Sequence, residues 1–151
     1  MIHHLSLTDL AKAIGVGVGV GILTAVVMVP ANLAGLPPMP EPPALAFAEL
    51  VLGTDLPMPV GLLFHVLYVT FWSVVFIALF RDNPGFLKAL GLGLVLWIGV
   101  LVVFFPLLGW GFLGLAVTPK MIPGSLVPHL LFAVVLWGLS RAVFGAGRAR
   151  A

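Results

Sequence analysis

Two histidines in this chain stand where an imidazole can do chemistry. The stretches PVGLLFHVLY (Pro59 to Tyr68) and PGSLVPHLLF (Pro123 to Phe132) each place a histidine six residues after a proline, followed by an apolar pair and an aromatic ring. In a helix His65 and His129 then share a face with a small residue one turn earlier, Gly61 or Ser125, and with Tyr68 or Phe132 three positions later. Neutral imidazole ligates haem iron and copper, and two histidines on separate helices of a four-helix bundle are the minimum for a bis-histidine b haem. Ionisable groups inside a membrane are costly and tend to mark working positions. The plainer alternative is that each ring is hydrogen-bonded to a backbone carbonyl and specifies packing.

A second constellation surrounds them. Met28, Met39, Met58 and Met121 all map to the same side of the chain as the histidines, together with Glu41, Glu49 and Asp55. Thioether plus imidazole is a soft, copper-suited set, whereas imidazole plus carboxylate suits zinc or iron. The candidate metal ligands are therefore His65, His129, Met58, Met121 and Glu49, and the cofactor the pair would suit is haem b or copper. The amino-terminal His3 and His4 fall on the opposite side and cannot complete that site.

These residues are positioned by membrane helices. Hydrophobic residues make up 62% of the chain and charged residues 8%, with a mean hydropathy of +1.24, far from soluble domains, in which about a quarter of residues are charged. At 151 residues the chain is one membrane domain with no room for a large extramembrane one. The absence of cysteine removes disulfides and thiolate chemistry. A net charge of +2 is too small a surplus to argue for nucleic acid.

Apolar runs of about 20 residues, the length that crosses the hydrocarbon core, predict four spans: Leu10 to Pro30, Pro59 to Phe80, Phe86 to Pro106 and Gly124 to Phe144. The turn RDNPG, Arg81 to Gly85, separates the middle two. Lys12, Arg81, Lys88, Arg141, Arg148 and Arg150 fall on one side and only Lys120 on the other, so the positive-inside rule places both termini in the cytoplasm of a multi-pass inner-membrane protein. The first span is read as a retained helix rather than a signal peptide, because it is repeated. KAIGVGVGVGILTAVVMVP (Lys12 to Pro30) aligns without a gap on KALGLGLVLWIGVLVVFFP (Lys88 to Pro106), matching Lys, Gly and Pro. In the following helices Pro59, Leu62, His65, Leu67 and Phe80 match Pro123, Leu126, His129, Leu131 and Phe144.

The expected fold is therefore all-α, with four transmembrane helices built as two duplicated hairpins, 10–80 and 86–144, related by an axis along the membrane normal. The first outer loop is the longer. It carries the polyproline-like run LPPMPEPP, Leu36 to Pro43, and then ALAFAELVL, Ala44 to Leu52, too short to span and expected to lie at the interface as a short helix. The loop from Leu107 to Gly124 is expected to hug the outer leaflet with Trp110 as an interfacial anchor. Gly15/Gly19 and Gly17/Gly21 form overlapping GxxxG motifs, which predict close helix packing.

From Gly61 onward, the His-bearing second helix, the Trp97 to Gly109 stretch "W...FPLLG" and the Pro128 to Trp137 stretch "PHLLF...W" resemble small, uncharacterised four-helix membrane proteins of bacteria and archaea. The resemblance covers about 90 residues and implies an architecture and a histidine-bearing outer face, with no mechanism.

No Asp, Glu, Lys or Arg lies mid-span, so the charged path of a pump is missing. Nor is there a nucleophile elbow or phosphate-cradling loop. The function expected is a non-catalytic membrane subunit of a larger complex, for example a respiratory one, with a paired-histidine outer-leaflet site. It would associate with lipid and with other subunits or itself. The alternative is a stand-alone outer-face copper-binding or transport protein acting as an oligomer.

Overall fold

The computed structural model describes residues 6–53 and 55–145; His3, His4, Arg148 and Arg150 lie outside them. Four long apolar helices account for most of the chain: α1 (Leu7–Leu33), α3 (Met58–Phe80), α4 (Phe86–Leu107) and α5 (Met121–Phe144). The short α2 (Pro43–Leu52) sits between the first two. By length and composition each of the four can cross a membrane, and the protein is a multi-pass membrane protein.

Local chemistry sets the ends. Ser6 caps α1 by accepting the Asp9 N–H at 3.1 Å, and its hydroxyl donates to the Asp9 carboxylate at 2.8 Å. The same carboxylate accepts from Arg81, just past the end of α3, at 2.8 Å. This tie joins the start of α1 to the end of α3. Pro43 opens α2 and Gly53, in the left-handed region at φ 74°, closes it. Between α3 and α4 the chain reverses within Arg81 to Gly85, where the Lys88 ammonium donates to the Asn83 carbonyl at 3.0 Å.

α1 packs along α3 and α5, and α4 packs along α5, while α3 and α4 barely touch. Close approach rests on glycine. A Cβ at Gly17 would lie 2.7 Å from Thr70 Cα, one at Gly21 3.2 Å from Val66 Cα, and one at Gly93 2.8 Å from the His129 carbonyl. Of the two predicted motifs, Gly17/Gly21 is therefore the packing pair. Gly19 meets only the Leu139 side chain, and Gly15 has nothing within 4 Å. A core around Val20, Phe76, Ile77 and Leu136 fills one half of the bundle. A second core, around Phe105, Trp110 and Met121, fills the α4–α5 side of the other half.

α4 departs from regular helix. Val100–Phe104 is a π-helical turn in which the Phe105 N–H reaches the Val100 carbonyl, directly before Pro106. Beyond it the chain turns back through Gly109, Gly111 and Gly114, all at positive φ. At Gly111 a Cβ would also strike Ala116 at 2.8 Å. Trp110 is consequently not an exposed interfacial anchor: it is only 7% exposed and packs on the Phe105 ring, centroids 5.4 Å apart.

Candidate functional site

The half of the bundle opposite the Asp9–Arg81 tie contains a cavity of about 460 Å³ lined by α1, the proline run, α2, α3, α4 and α5. Its size is that of a ligand pocket, and its wall is mainly apolar with a few polar groups, as such pockets are. His65, His129, Tyr68, Phe132 and Met58 all line it. Met28 and Met39 join them, as do Thr24, Asn32 and Ser125. Among the described residues no carboxylate and no Lys or Arg is part of the wall.

Two predicted residues stand elsewhere. Met121 is fully buried in the second core, beneath the α4–α5 contact. Glu49 is held by the chain itself: its carboxylate accepts the Leu56 N–H at 3.0 Å, bracing the connection from α2 to α3. Among the described residues no three His, Asp or Glu side chains cluster as a metal site, so thioethers are the donors that would complete a set.

Each imidazole is held by a hydrogen bond within the bundle. The His129 Nδ1 lies 2.7 Å from the Ser125 carbonyl. A carbonyl can only accept, so Nδ1 carries the proton and Nε2 the lone pair. Pro128 helps to place this bond, since proline loosens the helix ladder on its N-terminal side. The Thr24 hydroxyl is 2.8 Å from the Val20 carbonyl and 3.1 Å from that of Gly21. The same hydroxyl lies 3.0 Å from His65 Nε2, and the ring tautomer decides which of the two donates. A ring N–H anchored on protein oxygen, with the other nitrogen left free, is the arrangement of metal-ligating histidine.

Aromatic rings close the side where α3 and α4 diverge. Tyr68 meets Phe104 of the π-helical turn at 5.9 Å between centroids, Phe104 meets Phe47 of α2 at 5.2 Å, and Phe47 meets Phe64 at 6.2 Å. Trp97 ties α4 to α5 below them, its indole N–H shared between the Ile122 carbonyl at 3.2 Å and Ser125 Oγ at 3.1 Å.

Sequence reasoning did not reach Thr24, whose signal is a lone hydroxyl in the apolar run Gly21 to Val29. It also missed Phe104 and Asn32.

Haem b suits this wall poorly. Its propionates would find no cation among the described lining residues. A bare ion does not meet this obstacle.

Compared with protein-family models, with curated proteins and with solved structures, the chain shows no match.

Proposed function

We propose that the protein is a small, non-catalytic membrane subunit that holds a metal ion between His65 and His129. The observation that carries this reading is that both imidazoles line one cavity, each held by a hydrogen bond, with the His129 lone pair on Nε2. In this reading the pair is the product of a duplicated hairpin, which gives the two rings equivalent places on α3 and α5. Both termini lie in the cytoplasm of an inner-membrane protein, because Lys12, Arg81, Lys88 and Arg141 share one end of the bundle. The cavity and the interfacial α2 then belong to the outer leaflet. The lipid-length apolar faces serve the bilayer and neighbouring subunits or further copies.

The test is one purification of the full chain, with metal analysis and an optical spectrum. About one ion per chain is expected, lost in His65→Ala and in His129→Ala while the helical circular dichroism is kept. A metal-free protein in which both variants merely loosen the bundle would overturn the reading.

A further inference from the structure

We propose that the ion is copper(I), bound by thioethers of Met28, Met39 and Met58 beside the two imidazoles. The proposal rests on the metal reading of the histidine pair and identifies its occupant.

The first observation is convergence from three separate elements. Met28 comes from α1, Met39 from the proline run and Met58 from the start of α3, yet all three line the cavity that holds His65 and His129. Thioether sulfur is a weak hydrogen-bond acceptor and a soft ligand, and together with imidazole it selects copper(I) among the first-row ions. Methionine has three rotatable bonds, which lets sulfur reach an ion across a cavity wider than the ion itself.

The second observation is charge. The described wall offers neutral donors and no carboxylate. The cost of bringing an ion out of water grows with the square of its charge, so a divalent ion pays roughly four times the penalty of a monovalent one of equal size. Without a carboxylate to offset it, this set favours a +1 ion over zinc(II) or copper(II).

The third observation is how Met39 is held. The proline run crosses from the end of α1 onto α5, where a Cβ at Gly124 would come within 2.6 Å of the Pro38 ring. That contact seats the strap and places Met39 over the cavity. Only glycine at position 124 permits it.

The experiment uses the full chain purified in detergent under anaerobic conditions. Copper(I) alone is offered against a chromophoric chelator, zinc(II) is offered in parallel, and X-ray absorption reads the ligands of any bound copper. The proposal expects one-to-one copper(I) binding with sulfur in the ligand shell, and zinc(II) bound far more weakly. Affinity should fall roughly 10- to 100-fold in the Met28→Leu, Met39→Leu, Met58→Leu triple variant, a swap that conserves core volume. Gly124→Val should weaken copper(I) binding in the same direction by displacing the strap. Zinc(II) held through the histidines with no sulfur contribution, or copper(I) held equally by the triple variant, would overturn the copper(I) assignment and leave the histidine pair standing as a metal site. Failure of both ions to bind the wild-type chain would overturn the two together.

Discussion

The seam between α1 and α5 is packed, while the seam between α3 and α4 is open. In the duplicated-hairpin reading proposed above these two seams would be equivalent, and their difference would be an addition to a symmetric plan. On the closed side, Gly19 of α1 meets the Leu139 side chain of α5, and Val20, Phe76 and Leu136 share one buried core. On the open side, bulky Phe64, Tyr68 and Phe104 stand around a cavity instead. The segment between α1 and α3, strap plus α2, occupies that region, with α2 seated where a Cβ at Gly61 would lie 2.8 Å from Leu45. Close packing fills one half of the bundle and a cavity occupies the other.

Deleting the same ring on each side should separate the two most widely. Phe76→Ala, at 0% exposure, is expected to cost about 3–5 kcal/mol. Phe64→Ala, which borders existing empty volume, should cost only about 1 kcal/mol, as read by unfolding in mixed micelles. Equal losses would mean that the cavity wall is as tightly packed as the core. A smaller contrast comes from the glycines. Gly17→Ala should destabilise by about 1–3 kcal/mol through overpacking against the Thr70 backbone, whereas Gly15→Ala, with nothing within 4 Å, should be tolerated. If Gly15→Ala proves the more damaging, α1 is rotated from the orientation described.

Trp97→Phe removes one shared interhelical hydrogen bond from the packed α4–α5 seam. The expected loss is about 1 kcal/mol, with copper(I) binding retained. The smallest effect concerns Glu41, within the strap, whose carboxyl is raised above its ordinary range by burial and then by the negative charges of Glu49 and Asp55. A raised folded-state value means that ionisation opposes folding, so the penalty is present at neutral pH and disappears as acid protonates the group. Glu41→Gln should therefore raise the melting temperature slightly at pH 7 and leave it unchanged at pH values below the carboxylate range. A gain that persists in acid would contradict this.

Hydropathy located the spans to within a few residues: Pro59 to Phe80 was expected against Met58–Phe80 found, and Phe86 to Pro106 against Phe86–Leu107. The short helix was equally legible, since Pro43 and Gly53 bracket it. Which face each helix turns inward was not, because a helix that is apolar all round carries no amphipathic signal. That is why Gly15/Gly19 and Gly17/Gly21 could not be told apart, and why Met121 and Glu49 stood beside Met58 as candidate ligands. The π-helical turn at Val100–Phe104 had only Pro106 to announce it. The seating of Met39 depends on a contact between Pro38 and Gly124, 86 positions apart, which no local pattern records.

The central claim is that His65 and His129 act on one ligand, and a double-mutant cycle on ion affinity tests it most directly. Metal binding is measured for the wild-type chain, His65→Ala, His129→Ala and the double variant, each checked for retained helical content. A shared site predicts that either single substitution loses nearly as much affinity as both together, a strong departure from additivity. Losses that simply add, or an affinity that neither substitution changes, would contradict it.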